Sequence, residues 1–241
     1  MKAYKEPVLF VTDDPKSVIS ETFRVLRTNL QFSSIDKPLK KVLFTSSMPN
    51  EGKSTVISNL AVTIAQNNSK VLLIDADLRR PTLHKLFFLE NYKGMSNLLA
   101  ENLPLESVII STNIKNLDII TSGPTPPNPT EVLSSTKMKN FIENVSTLYD
   151  MVLIDSPPVN SVADASILSA YVDGVILVVE AGVTDRDALM LAKRQLDKVN
   201  AKIFGVVLNK VKEKHSPHYY YYYYYYGQDD SKIKGKRRKK K

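Results

Sequence analysis

The chain has 241 residues, 43% of them apolar and 24% charged, which suits one folded domain of about 200 residues with appendages. It contains no cysteine, which excludes disulfides, thiolate zinc sites, cysteine-ligated iron–sulfur clusters and cysteine nucleophiles, and its three scattered histidines do not make a His-rich metal site. The net charge of +8 is a tail property: residues 227–241 hold eight Lys/Arg and two Asp, leaving 25 basic and 23 acidic residues before them.

A body this close to neutral argues against nucleic acid as a partner. A solvated, disordered end is the ordinary reading of such a basic run, and attraction to anionic lipid or polyphosphate is the other. The longest uninterrupted aliphatic stretch, Val175–Val179, is five residues, against the ~18–20 that a bilayer span requires. Four apolar residues in a row near the amino terminus are too few for a secretory signal. A cytoplasmic protein is expected.

In chain order, residues 1–37 predict one helix and little else. Asp14-Pro15 reads as N-cap and first helical residue, and Ile19, Phe23, Leu26 and Leu30 form one apolar stripe. Glu21, Arg24 and Arg27 fall on the polar side, ordinarily a solvated face. Residues 38–212 alternate short aliphatic runs with helical segments. Strands are expected at 41–45, 71–75, 117–121, 151–155, 175–179 and 203–208, and helices near 54–67, 131–146, 164–171 and 186–199. Continuous aliphatic strands are buried on both faces of a parallel sheet, so an α/β fold with helices on both faces is predicted, with ligands at the carboxyl ends of the strands. Residues 213–241 form a low-complexity, flexible tail.

The strand KVLFT runs into Ser46-Ser47-Met48-Pro49-Asn50-Glu51-Gly52-Lys53-Ser54-Thr55 and then a helix. This fits the phosphate-binding template G-x-x-x-x-G-K-[ST], with Ser47 at the first glycine position. Backbone N–H groups do the work of such a loop, so the residue at the tight Gly52 turn matters most. Lys53 should reach the β and γ phosphates, and Ser54 should offer its hydroxyl to Mg²⁺. A P-loop NTPase-like domain is expected, with a mostly parallel central sheet.

Two strands end in carboxylates. VLLID continues as Asp75-Ala76-Asp77-Leu78-Arg79-Arg80-Pro81, and MVLID ends at Asp155 in the Walker B form, whose aspartate helps to hold Mg²⁺. Terminal aspartates also commonly cap the next helix. With the loop they are specific, because strand-end carboxylates complete a Mg-nucleotide site. Asn209-Lys210 could meet a purine edge or simply end a strand. Lys212 stands where a guanine-reading N-K-x-D pattern needs aspartate, which favours ATP over GTP.

Tyr219, Tyr220, Tyr221, Tyr222, Tyr223, Tyr224, Tyr225 and Tyr226 are consecutive. Eight rings at a chain end could be a stacking platform for single strands, an adhesive tail or a phosphoacceptor cluster. Each phosphate adds about −1.5 to −2, so four would offset the tail's charge of +6.

This set of motifs resembles the bacterial tyrosine kinases of capsular and exopolysaccharide synthesis, in the form where the cytoplasmic kinase is a separate polypeptide. The resemblance rests on SSMPNEGKST, VLLIDADLRRP, MVLIDSPP, the tyrosine cluster and ETFRVLR, and it covers nearly the whole chain. It implies that Lys53 stabilises phosphate charge and that Ser54, Asp77 and Asp155 organise Mg²⁺. Asp75 would orient and deprotonate an acceptor tyrosine, and Ser47, Pro49, Asn50, Glu51, Gly52, Thr55 and Asn209 would complete the nucleotide site. Glu21, Arg24 and Arg27 would contact a neighbouring subunit. The family pattern further implies a homo-oligomeric ring, an octamer, in which one tail enters the next active site. It also implies a transmembrane activator of the polysaccharide co-polymerase type that recruits the kinase to the inner face of the membrane, and a cognate tyrosine phosphatase. The alternative is a partitioning or division-site switch ATPase. Those carry a second lysine just after the first glycine position, where this chain has Met48, and they lack a tyrosine tail.

Overall fold

The computed structural model describes residues 9–32, 39–101 and 103–211. The tyrosine run, the basic tail, Lys212 and the boundary expected at 37/38 lie outside them. The chain divides into two units, residues 1–209 and 210–241, and the helices and strands of the described residues all belong to the first.

A short helix α1 (Phe10–Asp13) precedes α2 (Val18–Phe32). Then come β1 (Lys41–Ser46), α3 (Lys53–Ala65), β2 (Val71–Asp75), α4 (Leu83–Leu86), α5 (Met95–Glu101), β3 (Ile110–Ser111) and β4 (Leu117–Ile120). The domain continues through α6 (Pro129–Leu133), α7 (Thr136–Leu148), β5 (Met151–Asp155), α8 (Asp164–Ser169), β6 (Gly174–Glu180), α9 (Arg186–Lys198) and β7 (Ile203–Asn209). The sheet order is β3-β4-β2-β5-β1-β6-β7, parallel throughout except for the antiparallel pair β3–β4.

Strand residues alternate between two cores, as the two-residue period of a strand requires. Leu43, Leu72, Ile74, Val152, Ile154, Val175 and Leu177 face the core closed by α5 to α9. Val42, Phe44, Val71, Leu73, Leu153, Ile176 and Val178 face the core closed by α1 to α4. This is why the central strands read as unbroken aliphatic runs. α3 is buried along most of its length, because α2 covers the side turned away from the sheet. At one edge, β7 leaves Val206 and Leu208 53% and 59% exposed. At the other, the edge strand is the two-residue β3.

Several expectations need correction. Helix α2 starts at Val18, not at Pro15: Ser17 Oγ accepts from Ser20 N at 3.1 Å and caps it, whereas Asp14 takes Ser17 N on its backbone oxygen. The apolar stripe holds at Phe23, Leu26 and Leu30, but Ile19 is 45% exposed and Ser20 is buried in its stead. Ser20 fits there because its hydroxyl donates to Asp14 O at 2.6 Å. The helix expected over 131–146 is two helices, broken where Ser135 caps α7 by accepting from Met138 N. Among the described residues no helix is long and apolar enough to cross a membrane.

Candidate active site

β1 ends at Ser46, and the chain turns through Ser47–Gly52 into α3. Gly52 sits at φ +85° as the N-cap of α3, with no side chain capping that helix. The first amides of α3 have no intrahelical acceptor, which suits them to an anion. Asn50 is also left-handed at φ 67°, a conformation that Asn tolerates better than most residues.

The loop is held from inside by Glu51. Its buried carboxylate accepts from Ser47 Oγ at 2.8 Å and Met48 N at 2.9 Å, and from Thr184 Oγ1 in the turn after β6. Asn209 Nδ2 donates to Glu51 O at 2.9 Å. Ser47 is therefore a specific donor at the first glycine position, and Asn209 buttresses the loop. The sequence reading missed the role of Glu51. The available signal was a hydroxyl and a carboxylate four residues apart in one tight loop.

Lys53 Nζ donates to Asp155 Oδ1, and Ser54 Oγ donates to Asp155 Oδ2 at 2.5 Å. Parallel pairing of β2 with β5 sets Asp75 directly opposite Asp155, so both side chains share a face. Asp75 is fully buried, and its Oδ2 accepts from Thr82 N and Leu83 N at 3.0 Å each, capping the first turn of α4. Burial and the neighbouring Asp155 charge push its pKa up to about 7, against the two N–H donors and Lys53. Burial also raises Asp77, opposed by Lys53 and by the backbone N–H groups of Arg80 and Arg79. Arg80 N donates to Asp77 Oδ1 at 3.0 Å. The loop carrying Asp77 is anchored by Arg79, whose Nε donates to the buried Asp164 Oδ2 at 3.0 Å and whose NH2 donates to Thr130 Oγ1 at 2.8 Å. Nothing in the sequence reading pointed to Asp164 or Thr130, which come from α8 and α6.

Against the carboxylates of Asp75, Asp77 and Asp155, Lys53 supplies one positive charge. No cluster of three metal-binding side chains is preassembled among the described residues. Oxygen donors with residual negative charge, few in number and beside a phosphate cradle, fit Mg²⁺, which takes one or two carboxylates plus substrate phosphates.

The polar side of α2 is arranged differently. Arg24 NH1 pairs with Glu21 Oε2 at 2.7 Å on the same helix. Arg27 does not lie on a solvated face: half-buried, it turns inward and donates from NH1 to Thr63 O, in the last turn of α3, at 3.3 Å.

The doubly covered parallel sheet, the phosphate loop and the strand-end carboxylates define a nucleotide-binding domain of the P-loop NTPase type. A family described as an AAA domain matches residues 50–203. The tyrosine-protein kinase YwqD of Bacillus subtilis is 47% identical over 206 residues, 85% of this chain and 87% of that protein. The kinase domain of the Escherichia coli tyrosine kinase ETK superposes with a TM-score of 0.83 at 36% identity, covering 86% of this chain and 82% of that one. The chimerical protein CapA2B2 superposes at 0.81 with 41% identity, covering 84% and 89%. The chain belongs to the bacterial tyrosine-protein kinases. A septum site-determining protein from Pyrococcus horikoshii, at 24% identity and a TM-score of 0.62, shares the fold alone.

Proposed function

We propose that this kinase is an ATP-dependent autokinase that phosphorylates Tyr219–Tyr226 of a neighbouring copy within an oligomer, and so regulates capsular or exopolysaccharide synthesis and export. The observation that supports this most strongly is the convergence of Lys53, Ser54, Asp75, Asp77 and Asp155 at the carboxyl ends of three adjacent strands, beside an uncapped helix N-terminus.

In this reading the amides of the loop from Ser47 to Thr55, with Pro49, Asn50 and Glu51 shaping it, cradle the triphosphate of ATP. Asn209 offers its side-chain carbonyl to the exocyclic amine of adenine. Lys53 exchanges Asp155 for the β and γ phosphate oxygens. Ser54, Asp77 and Asp155 would hold Mg²⁺, directly or through water, and the ion would neutralise charge on the transferring phosphate. Asp75 takes the proton of the acceptor phenol. A base near pKa 7 is matched to neutral pH, and a phenol of pKa ~10 needs only modest help, so positioning dominates.

The same resemblance supports the remaining parts of the reading. These are a ring, octameric in the family, built through Glu21, Arg24 and Arg27, a transmembrane activator of the polysaccharide co-polymerase type that brings the kinase to the inner face of the membrane, and a phosphatase that resets the tail.

The test is phosphopeptide mapping by mass spectrometry after incubation with ATP and Mg²⁺, with and without the activator segment, alongside Lys53→Met. Phosphate on Tyr219–Tyr226 that vanishes in the variant is expected. ATP turnover with unmodified tyrosines, activator present, would overturn the kinase reading in favour of a nucleotide switch.

A further inference from the structure

The loop that follows the acidic motif presents aromatic side chains where solvation alone would not place them. Phe88 is 90% exposed and sits at φ 53°, a left-handed conformation that is costly for a bulky residue. Four residues on, Tyr92 is 81% exposed. From Phe87 to Tyr92 burial alternates: Phe87, Leu89 and Asn91 are half-buried, whereas Phe88, Glu90 and Tyr92 are exposed.

The half-buried set is firmly tied down. Phe87 and Leu89 pack on the core beneath α4, and Leu89 N donates to His84 O at 2.7 Å. Asn91 Nδ2 donates to Ser122 Oγ at 3.0 Å, and Gly123 N donates back to Asn91 Oδ1 at 2.9 Å. Gly94 closes the loop so tightly that an added Cβ would lie 2.2 Å from Thr121 O. The backbone that carries the exposed rings is therefore held in place, and a strained backbone maintained by its surroundings points to function.

Position identifies the occupant. One turn of helix, about 6 Å long, separates the start of this loop from the amides capped by Asp75. Phe88 and Tyr92 are at most ~14 Å apart along the chain, and an extended tyrosine run repeats same-side rings every ~7 Å. Glu90, between the two rings, can accept a phenol O–H. The exposed Lys85 and Lys93 beside them repel the tail's Lys/Arg run, so the matched part of the tail is its uncharged stretch.

We propose that Phe88 and Tyr92 form an aromatic rest for the Tyr219–Tyr226 run of a neighbouring copy, holding it while one phenol is presented to the acidic loop. This rests on the autokinase reading above and adds to it a determinant of acceptor selectivity.

The test uses a ¹⁵N-labelled Lys53→Met copy as acceptor at varied concentration, phosphorylated by wild-type, Phe88→Gly, Tyr92→Ala or doubly substituted kinase. Removing either ring should raise the apparent KM for acceptor about three- to tenfold, and removing both should raise it more. The KM for ATP should stay within about twofold, because only acceptor binding is touched. Phe88→Gly should at the same time hold or raise the thermal midpoint, since glycine relieves the left-handed strain. A KM for acceptor within about twofold of wild type in the double variant would overturn the inference. So would a rise that tracks a lower thermal midpoint or a smaller oligomer by light scattering. Wild-type kinase that leaves the labelled tyrosines unmodified would overturn the autokinase reading itself, a result distinct from either.

Discussion

The phosphate loop and the outer side of α2 are both rich in charge, yet they treat it in opposite ways. In the loop every charged group is buried and committed: Lys53 to Asp155, Glu51 to Ser47, Met48 and Thr184. On α2 the charges are held more loosely: Arg24 pairs with Glu21 one turn away, and Arg27 reaches a carbonyl of α3 with NH1 while its Nε is left without a partner among the described residues. The difference lies in solvent. A charge removed from water is tolerated only with a partner, so the buried set is fixed in number and geometry. A half-buried pair such as Glu21–Arg24 keeps part of its hydration, gains less and can change partners more cheaply. A nucleotide site needs the first property, and a surface that assembles and disassembles needs the second.

The hardest way to break that contrast is Lys53→Met. It should reduce phosphoryl transfer by about 10²–10³-fold or more, and destabilise the domain by about 3 kcal/mol by leaving Asp155 buried without its cation. Adding Asp155→Leu should return much of the stability, read by urea denaturation, and none of the activity. Stability unchanged in the single variant would show that the pair does not anchor the loop.

The pH dependence of folding probes the same buried set. Asp75 holds its proton more tightly when folded, with a pKa of about 7 against an ordinary 3.8. Between pH ~4 and ~7 the native state therefore binds more protons than the unfolded one, and stability falls as pH rises through that window. Asp75→Asn should remove a slope of up to about 1.4 kcal/mol per pH unit, measured as denaturation midpoints across pH 4–8.

On the α2 side the effects are smaller. Arg27→Ala should cost about 1 kcal/mol, the worth of its bond to Thr63 O. A double-mutant cycle on Glu21 and Arg24 should give about 0.5 kcal/mol or less, falling further in high salt. If these residues also join subunits, both substitutions will reduce oligomer mass at concentrations where the fold is intact. An oligomer unaffected by either would leave α2 as a surface with only internal contacts.

What the sequence revealed follows the same division. Strands buried on two faces announce themselves as aliphatic runs, and Gly52-Lys53-Ser54 and Asp155 sit at their ends, so sheet and site were readable together. Ile19 was misread because an apolar stripe says nothing about a neighbouring hydroxyl, that of Ser20, which finds carbonyls six and ten residues back. The break at Ser134-Ser135 could have been read: Leu133 and Met138 are five residues apart, out of step with a helical repeat, and a serine three residues before Met138 is a cap signal. Asp164, Thr130 and Thr184 could not be found at all. Their partners lie 34 to 133 residues away, and only the closed sheet brings them together. The capping of α4 by Asp75 was half-readable: a strand-end aspartate suggested either a cap or a catalytic group, and the fold makes it the first without removing it from the second.

The edge at β7 has a practical consequence. Val206 and Leu208 project beside a strand whose outer side pairs with no other strand among the described residues, the arrangement from which sheets of separate molecules join. Concentrated preparations should cloud along this strand first, because the other edge strand, β3, offers only two residues, and Val206→Lys should raise the solubility limit.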